Sequence, residues 1–307
     1  MIPELKAFEE YLVQQERAVL TIRGYLADLS HFIQWFEGTN GERFSLPAVT
    51  PTDVREYRQH LAAIQCRKPA TVNRRLAAIS ALMAWAKQTG QIEQDPTDGV
   101  RGLPQERRGP RSLDKKEQYA LQRVIEKDLQ LAYLRYPVRW RIHERDASMT
   151  IFLLHTGLRL SEALSLRLDD LQLSDRKGEV TVRQGKGGRS RTVPLNAAAR
   201  KALQTWMEVR RTFDGSYLWI GMEDGGKNAL SGRSVQRALV RLGRAAGLKR
   251  LTPHVLRHSF AKNLVDAGVG LEKVAALLGH SNLNTTRIYV APNQRDLEQA
   301  VDLISPD

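Results

Sequence analysis

Apolar residues recur at helical spacing through the first third of the chain. Pro47 and Pro51 interrupt the pattern, Thr52 or Asp53 can begin the next helix, and Pro69 interrupts it again before residues 71–86. A bundle of about four helices is therefore expected over residues 4–100. The apolar positions that set the spacing are Ile22, Tyr25, Leu26, Leu29, Phe32, Ile33, Phe36, Val54, Tyr57, Leu61, Val72, Leu76, Ile79, Leu82 and Met83.

The second half of the chain mixes two periods. Val180 and Val182 alternate with polar residues, GKGG forms a turn, and the alternation resumes from Arg191 to Val193. This predicts a β-hairpin inside a mainly helical domain, a mixed α/β arrangement. The predicted helices lie at roughly 114–135, 146–167, 197–211, 231–246, 252–266 and 271–278.

Residues 95–112, DPTDGVRGLPQERRGPRS, separate the two halves. Turn-forming residues and arginines dominate this stretch, and it has no apolar period, which is typical of a linker. The 307 residues are enough for two domains. We expect a helical domain at 1–95, a basic linker at 96–112 and a second domain at 113–307, which ends in a short amphipathic tail helix.

The net charge of the chain indicates a type of binding partner. The net charge is +13, which points to a polyanion such as DNA, although a high charge can also simply keep a protein soluble. The lone Cys66 excludes an intramolecular disulfide and a cysteine zinc site, and the sequence has no signal peptide or membrane-length apolar run. We therefore expect a cytoplasmic, nucleoid-associated protein. Its candidate DNA-binding residues are Asn73, Arg74, Arg75, Lys87, Arg107, Arg108, Arg189 and Arg191.

Four stretches carry candidate chemistry. HTGLRLSEAL (155–164) places Arg159 after a glycine turn and Glu162 one turn later, and the hairpin tip offers Lys186. Each residue alone has an ordinary interpretation, such as a surface ion pair or a tight turn. LTPHVLRHSF (251–260) places three further candidates, His254, Arg257 and His258, on one face of a helix opposite Leu256, Phe260 and Leu264. LLGHSNLNTTRIYV (277–290) adds His280, which could cap a helix, and Tyr289, which could be a core aromatic.

The order of these residues is more specific than any one of them. The words TGLRLSE, GKGGRSRTVPL, PHVLRHSFA and LLGHS…TTRIYV resemble the tyrosine recombinase (phage integrase) family, in particular its Xer-like members. The resemblance covers the whole chain. It implies a two-domain DNA clamp, in which an N-terminal helical bundle is followed by a mixed α/β catalytic domain. The six positions that carry it are Arg159, Lys186, His254, Arg257, His280 and Tyr289.

The resemblance also implies roles for these residues. Tyr289 would attack DNA and form a 3′-phosphotyrosyl bond, while Arg159 and Arg257 hold the phosphate oxygens in forked hydrogen bonds. Lys186 would protonate the departing 5′ oxygen. His254 and His280 would bind the same phosphate, and one of them would accept the tyrosine proton. Glu162 and His258 would support these groups. The bond energy is conserved, so no metal, ATP or other cofactor is expected.

The implied function is site-specific recombination of double-stranded DNA through a Holliday junction by a tetramer, in integration, excision or resolution. The tail helix, with Leu297, Ala300, Val301 and Ile304, would dock on a neighbouring protomer, and accessory proteins could take part. A type IB topoisomerase-like enzyme and a catalytically idle DNA-binding relative are the alternatives. The segment 128–146 is longer than the usual connection at this place in the family. This length is compatible with a DNA contact, a protein contact or a packing insert. It slightly favours a role in a mobile element.

Overall fold

The computed structural model describes residues 2–105, 109–183, 190–222, 225–280 and 286. The chain forms two compact units, Met1–Arg107 and Arg108–Asp307. The division between them falls within the predicted linker, whereas the exact limits 1–95, 96–112 and 113–307 stay predictions.

The first unit is the expected helical bundle. Thr50 rather than Thr52 or Asp53 caps the third helix, because its hydroxyl accepts the Asp53 N–H at 3.3 Å and the Asp53 carboxylate accepts the Thr50 N–H at 2.8 Å. Pro69 begins a helix instead of only interrupting one, since the first helical position needs no N–H. The helices are α1 (Pro3–Gln14), α2 (Val19–Asn40), α3 (Pro51–Gln59), which runs into a π-helical turn (His60–Ile64), and α4 (Pro69–Gln88).

The core of the first unit is rich in aromatic residues, with Phe32 in contact with Phe36, Phe44 and Tyr57. The start of the predicted linker packs onto this unit. The Asn73 side chain accepts the Leu103 N–H at 2.7 Å and donates to the Leu103 carbonyl at 2.9 Å. Residues up to Leu103 are therefore part of the first unit, which the linker-like composition did not predict.

The second unit contains a small antiparallel sheet whose described strands lie side by side in chain order, which confirms the mainly α class with a small sheet. Val180 pairs with Val193 and Val182 with Arg191, as the predicted hairpin requires, and the GKGG turn lies outside the described residues. The elements are α5 (Lys115–Arg135), α6 (Trp140–Thr156), α7 (Leu160–Ser165), β1 (Leu171–Leu173), β2 (Gly178–Val182), β3 (Arg191–Pro194), α8 (Ala197–Arg210), α9 (Gly232–Ala245), α10 (Pro253–Asp266) and α11 (Leu271–Leu278).

The predicted helix at 146–167 is two helices, α6 and α7. Gly157 ends α6 in the left-handed conformation with φ 63°, and a Cβ there would lie 2.3 Å from the Phe260 ring. Glycine therefore meets both a backbone and a packing requirement at this break.

The stretch 128–146 is mostly helical, because α5 runs to Arg135 and α6 begins at Trp140. Tyr133 packs on Trp140, with ring centroids 5.1 Å apart, and its hydroxyl donates to Glu144 at 2.7 Å. This part of the chain is therefore a helical hairpin that packs on itself. Across the described ranges, no helix is long and apolar enough to cross a membrane.

Candidate active site

Arg159 and Glu162 form the first part of the site. Arg159 caps the N-terminus of α7, its backbone N–H donates to Glu162 Oε2 at 2.9 Å, and its guanidinium Nη1 donates to Oε1 at 2.7 Å. The Glu162 side chain is buried, whereas 31% of the Arg159 side chain is exposed. The buried carboxylate therefore holds the Arg159 side chain on its inner side and orients it toward solvent.

Arg191 reaches the same carboxylate from strand β3. Its Nη2 and Nη1 donate to Glu162 at 2.7 and 3.2 Å, and its Nε donates to the Leu277 carbonyl at 3.1 Å. Burial raises the pKa of Glu162, but the hydrogen bonds from Arg191 and Arg159 outweigh it and leave that pKa lowered. The sequence predicted Arg191 as a DNA contact. In the structure its guanidinium instead faces inward, because the buried carboxylate needs a cationic partner.

Arg257 is buried on α10 and lies close to the ends of two other helices. Nη1 donates to the Gly157 carbonyl at 2.7 Å, and Nη2 donates to the Leu278 carbonyl at 2.8 Å. These carbonyls end α6 and α11, where the helix dipole is negative and stabilises a cation. The helix face that the sequence predicted to be cationic is therefore only partly exposed, since Arg257 is 4% exposed.

His280 follows Gly279, which ends α11 in the left-handed conformation. Its Nε2 lies 2.9 Å from Arg257 Nη2, and its Nδ1 lies 2.9 Å from the Thr286 hydroxyl. Because an arginine only donates, Nε2 must be the acceptor, which places the proton of a neutral ring on Nδ1. Burial, followed by the charges of nearby arginines, lowers the pKa of His280 to about 4. The imidazole is therefore neutral at pH 7.

His254 and His258 lie one turn apart on α10. Their rings stack with centroids 6.3 Å apart, and His254 is exposed. Burial, then the charges of His254 and Arg257, lowers the pKa of His258 to about 4. The structure thus brings Arg159, Glu162, Arg257, His258 and His280 together with His254 at the outer edge.

An open cleft of about 570 Å³ lies beside these groups and includes Arg159, His254, Arg257 and His258 in its lining. The sequence analysis missed four further lining residues, Arg111, Gln236, Val240 and Arg250. Helix α9 also exposes Arg233, Arg237 and Arg244. The apolar positions Val235, Leu239 and Leu242 define the buried face of α9, and this spacing could have revealed the arginine-rich face opposite.

The other candidate DNA contacts are placed less uniformly. Arg74 pairs with the buried Asp28 and remains half-exposed, and Lys87 is exposed at the end of α4. Arg75 was predicted on the polar side of its helix but is buried, with Nη1 3.4 Å from the Tyr57 hydroxyl. Its Nε lies 3.7 Å from the buried Asp28 carboxylate, and this opposite charge stabilises the buried guanidinium. Arg75 therefore does not present its charge to a phosphate. Asn73 is held by the Leu103 backbone.

The remaining predicted residues lie outside the part of the chain that the structure describes. They are Lys186, Arg189, Tyr289, Arg107, Arg108 and the tail from residue 291. Within the described part of the chain, no group of three or more His, Cys, Asp or Glu side chains is arranged to hold a metal ion.

Comparison with known proteins identifies the family of this chain. The phage integrase family model matches residues 131–295, and the model of the phage integrase N-terminal SAM-like domain matches residues 5–90. The chain belongs to the phage integrase family of tyrosine recombinases. The activity of this family is the cleavage and rejoining of DNA, so the chain is an enzyme of that class.

Individual relatives of the family cover nearly the whole chain. Tyrosine recombinase XerA of Pyrococcus furiosus is 33% identical and covers 97% of this chain and 92% of its own length. Tyrosine recombinase XerC of Corynebacterium glutamicum is 30% identical, with 94% and 87% covered. The XerH site-specific recombinase bound to a palindromic difH substrate shares the fold, with a TM-score of 0.75 at 24% identity over 94% of this chain and 81% of that chain.

Proposed function

We propose that this chain is a site-specific recombinase that cleaves and rejoins double-stranded DNA through a 3′-phosphotyrosyl intermediate on Tyr289. The observation that supports it best is the cleft in which Arg159 and Arg257, each fixed by protein acceptors, lie beside His254 and His258. Two preorganised guanidiniums are suited to a phosphate that gains negative charge during attack, because they need little reorganisation when the charge develops.

The chemistry follows from the charges of the site. Arg159 and Arg257 would bind the non-bridging oxygens, and Lys186 would give a proton to the departing 5′ oxygen. His280 is neutral with a lone pair on Nε2, so it can accept the tyrosine proton once DNA takes over its hydrogen bond to Arg257. His254, exposed at the edge of the cleft, is the other candidate for that step. The phosphotyrosyl bond conserves the energy of the broken bond, so rejoining would need neither metal nor ATP.

Membership of the family supports a proposal for the finer features of the function. We propose a DNA-bound tetramer, a Holliday junction intermediate and docking of the tail helix on a neighbouring protomer. The named relatives include tyrosine recombinases XerA and XerC and the TnP I resolvase of Bacillus thuringiensis, the last at 27% identity. The helical hairpin formed by α5 and α6 packs on itself, so it gives no reason to prefer a mobile element over the chromosome.

Covalent trapping tests the proposal. A DNA substrate nicked beside the scissile phosphate should leave the protein attached to a 3′ end, in EDTA and without ATP. Because the phenol oxygen makes the bond, Tyr289→Phe should bind the same DNA and form no adduct. Adduct formation by Tyr289→Phe would exclude this nucleophile, and a strict requirement for magnesium would exclude the mechanism. Sequencing the trapped DNA from the native host would identify the recombination site.

A further inference from the structure

Three separate segments of the second unit meet behind Arg159 at the guanidinium of Arg191. Strand β3 supplies Arg191, α7 supplies Glu162 and the last turn of α11 supplies the Leu277 carbonyl. Each guanidinium nitrogen of Arg191 donates to one of these acceptors, and 14% of its side chain is exposed. Arg257 also donates to protein acceptors, but it lines the cleft whereas Arg191 does not, so the Arg191 side chain is poorly placed to contact a DNA phosphate there.

Close packing reinforces the junction. A Cβ at Gly279 would lie 2.6 Å from Arg191 Nη1, so the guanidinium fills the space that any other residue would need there. The Gly279 carbonyl in turn lies 3.4 Å from Arg159 Nη2, and His280 is the next residue. Arg191 therefore contacts the supports of Arg159 and of His280 at the same time.

We propose that Arg191 is a positioning residue that sets the place of Arg159 through Glu162 and the place of His280 through the end of α11. The proposal rests on the roles proposed above for Arg159 and His280. Arg191 supplies two of the four hydrogen bonds that the Glu162 carboxylate accepts. Without them, the buried carboxylate must recruit its remaining partner, Arg159, more fully, which would turn that guanidinium away from the cleft.

Two substitutions of Arg191 test the proposal in the full-length protein. Arg191→Met keeps the aliphatic stem and removes every donor, and Arg191→Lys keeps the charge without the fork. Arg183→Met is the matched control, because Arg183 lies on the same hairpin and pairs with the buried carboxylate of Asp170 instead. Single-turnover cleavage of a suicide substrate, DNA affinity over a range of salt and thermal unfolding are measured for each variant.

Arg191→Met should slow cleavage by roughly 100-fold, as expected for a misplacement of about 1 Å, and should leave DNA affinity and its salt dependence unchanged. Arg191→Lys should fall between Arg191→Met and the wild type, and Arg183→Met should cleave within about twofold of the wild type, since its ion pair is with Asp170 and does not involve Glu162. If Arg191→Met instead weakens binding and lowers the salt slope by about one, Arg191 is a phosphate contact and the proposal is wrong.

A double variant separates positioning from a direct role. If Arg191 acts through Glu162, Arg191→Met should add little to the defect of Glu162→Gln, because the shared partner is already lost. Fully additive losses would contradict the proposal.

A readout that needs no activity is the His280 imidazole, followed by NMR. Removing the nearby Arg191 charge should raise the pKa of His280, and Arg183→Met should not. An unchanged His280 pKa in Arg191→Met would contradict the proposed hold on α11. Failure of the wild type to form any adduct would overturn the proposed function but leave this NMR test of the junction intact.

Discussion

The two units of this protein each contain a buried carboxylate that two arginines share. In the first unit Asp28 pairs with Arg74 and lies close to Arg75, and in the second unit Glu162 pairs with Arg159 and Arg191. In both cases one arginine is largely enclosed beside the acid and the other is more exposed. The arrangement allows a charge to be buried, since each ionised group has an opposite partner.

The difference lies in how firmly the more exposed arginine is held. Arg74 reaches Asp28 across 46 residues of sequence, and 54% of its side chain is exposed. Arg159 lies three residues from Glu162 and is fixed twice, by its guanidinium and by its own backbone N–H. A local, two-point attachment fixes orientation, whereas a single side-chain contact leaves rotamer freedom. The single contact of Arg74 suits binding to a phosphate, and the two-point attachment of Arg159 suits catalysis on one.

The largest expected effect is on the rate of DNA cleavage when the more exposed arginine of each pair is replaced. Arg159→Ala should slow single-turnover cleavage by about 1000-fold with little change in DNA affinity, because its contact strengthens as charge develops on the phosphate. Arg74→Ala should leave the cleavage rate of bound complexes unchanged, weaken binding a few-fold and lower the salt slope by about one. Suicide-substrate kinetics and salt titrations of both variants measure this. Equal effects of the two substitutions on the cleavage rate would show that Arg74 and Arg159 do not differ in role.

A smaller effect is expected on stability when a buried acid is neutralised. Asp28→Asn should lower the free energy of unfolding of the first unit by about 3 kcal/mol, because Arg75 would stay buried without its charged partner. Arg74→Ala should cost less than about 1 kcal/mol, since its ion pair is half-exposed.

Urea unfolding followed by tryptophan fluorescence, with hydrogen exchange to assign the unit, measures both changes. A loss for Asp28→Asn no larger than that for Arg74→Ala would show that the buried arginine does not depend on the acid.

The effect that is smallest at neutral pH is a difference in acid sensitivity. The pKa of His258 and of His280 is about 4, below the usual 6.5, so the unfolded chain binds these protons first as the pH falls. The second unit should therefore lose stability from about pH 6.5 down to about pH 4.

In the first unit, burial raises the pKa of Asp53, but hydrogen bonds from Thr50 outweigh this effect and leave the pKa lowered. The stability that the Asp53 carboxylate contributes should therefore be lost only below about pH 4. Hydrogen exchange of both units between pH 7 and pH 4.5 tests this order. His258→Gln should reduce the pH dependence of the second unit, and an unchanged dependence would assign it to other groups.

The sequence predicted those parts of the fold that depend on local pattern. The spacing of Leu29, Phe32 and Phe36 predicted α2, and the Val180 and Val182 alternation predicted the hairpin. Strand β1 was missed because its three residues are too few to show a period.

The site was predicted as a set of residues but not as an arrangement. Arg75 and Arg191 were assigned to the surface, because a charged residue is normally exposed and its burial depends on an acid far away in sequence. The acid that holds Arg191 is 29 residues away, and no local spacing reports it. The sequence did indicate the association of Arg159 with Glu162, since they are one helical turn apart.

The two glycine caps make helix length a functional quantity. Arg257 binds the carbonyl of Gly157, where α6 stops, and the carbonyl of Leu278, where α11 stops. One residue inserted into the last turn of either helix would rotate its end by about 100° and move this acceptor away from the guanidinium. Insertions should therefore be tolerated at the Tyr136–Arg139 connection that precedes α6, yet abolish activity a few residues before Gly157, although the two sites are at opposite ends of the same helix.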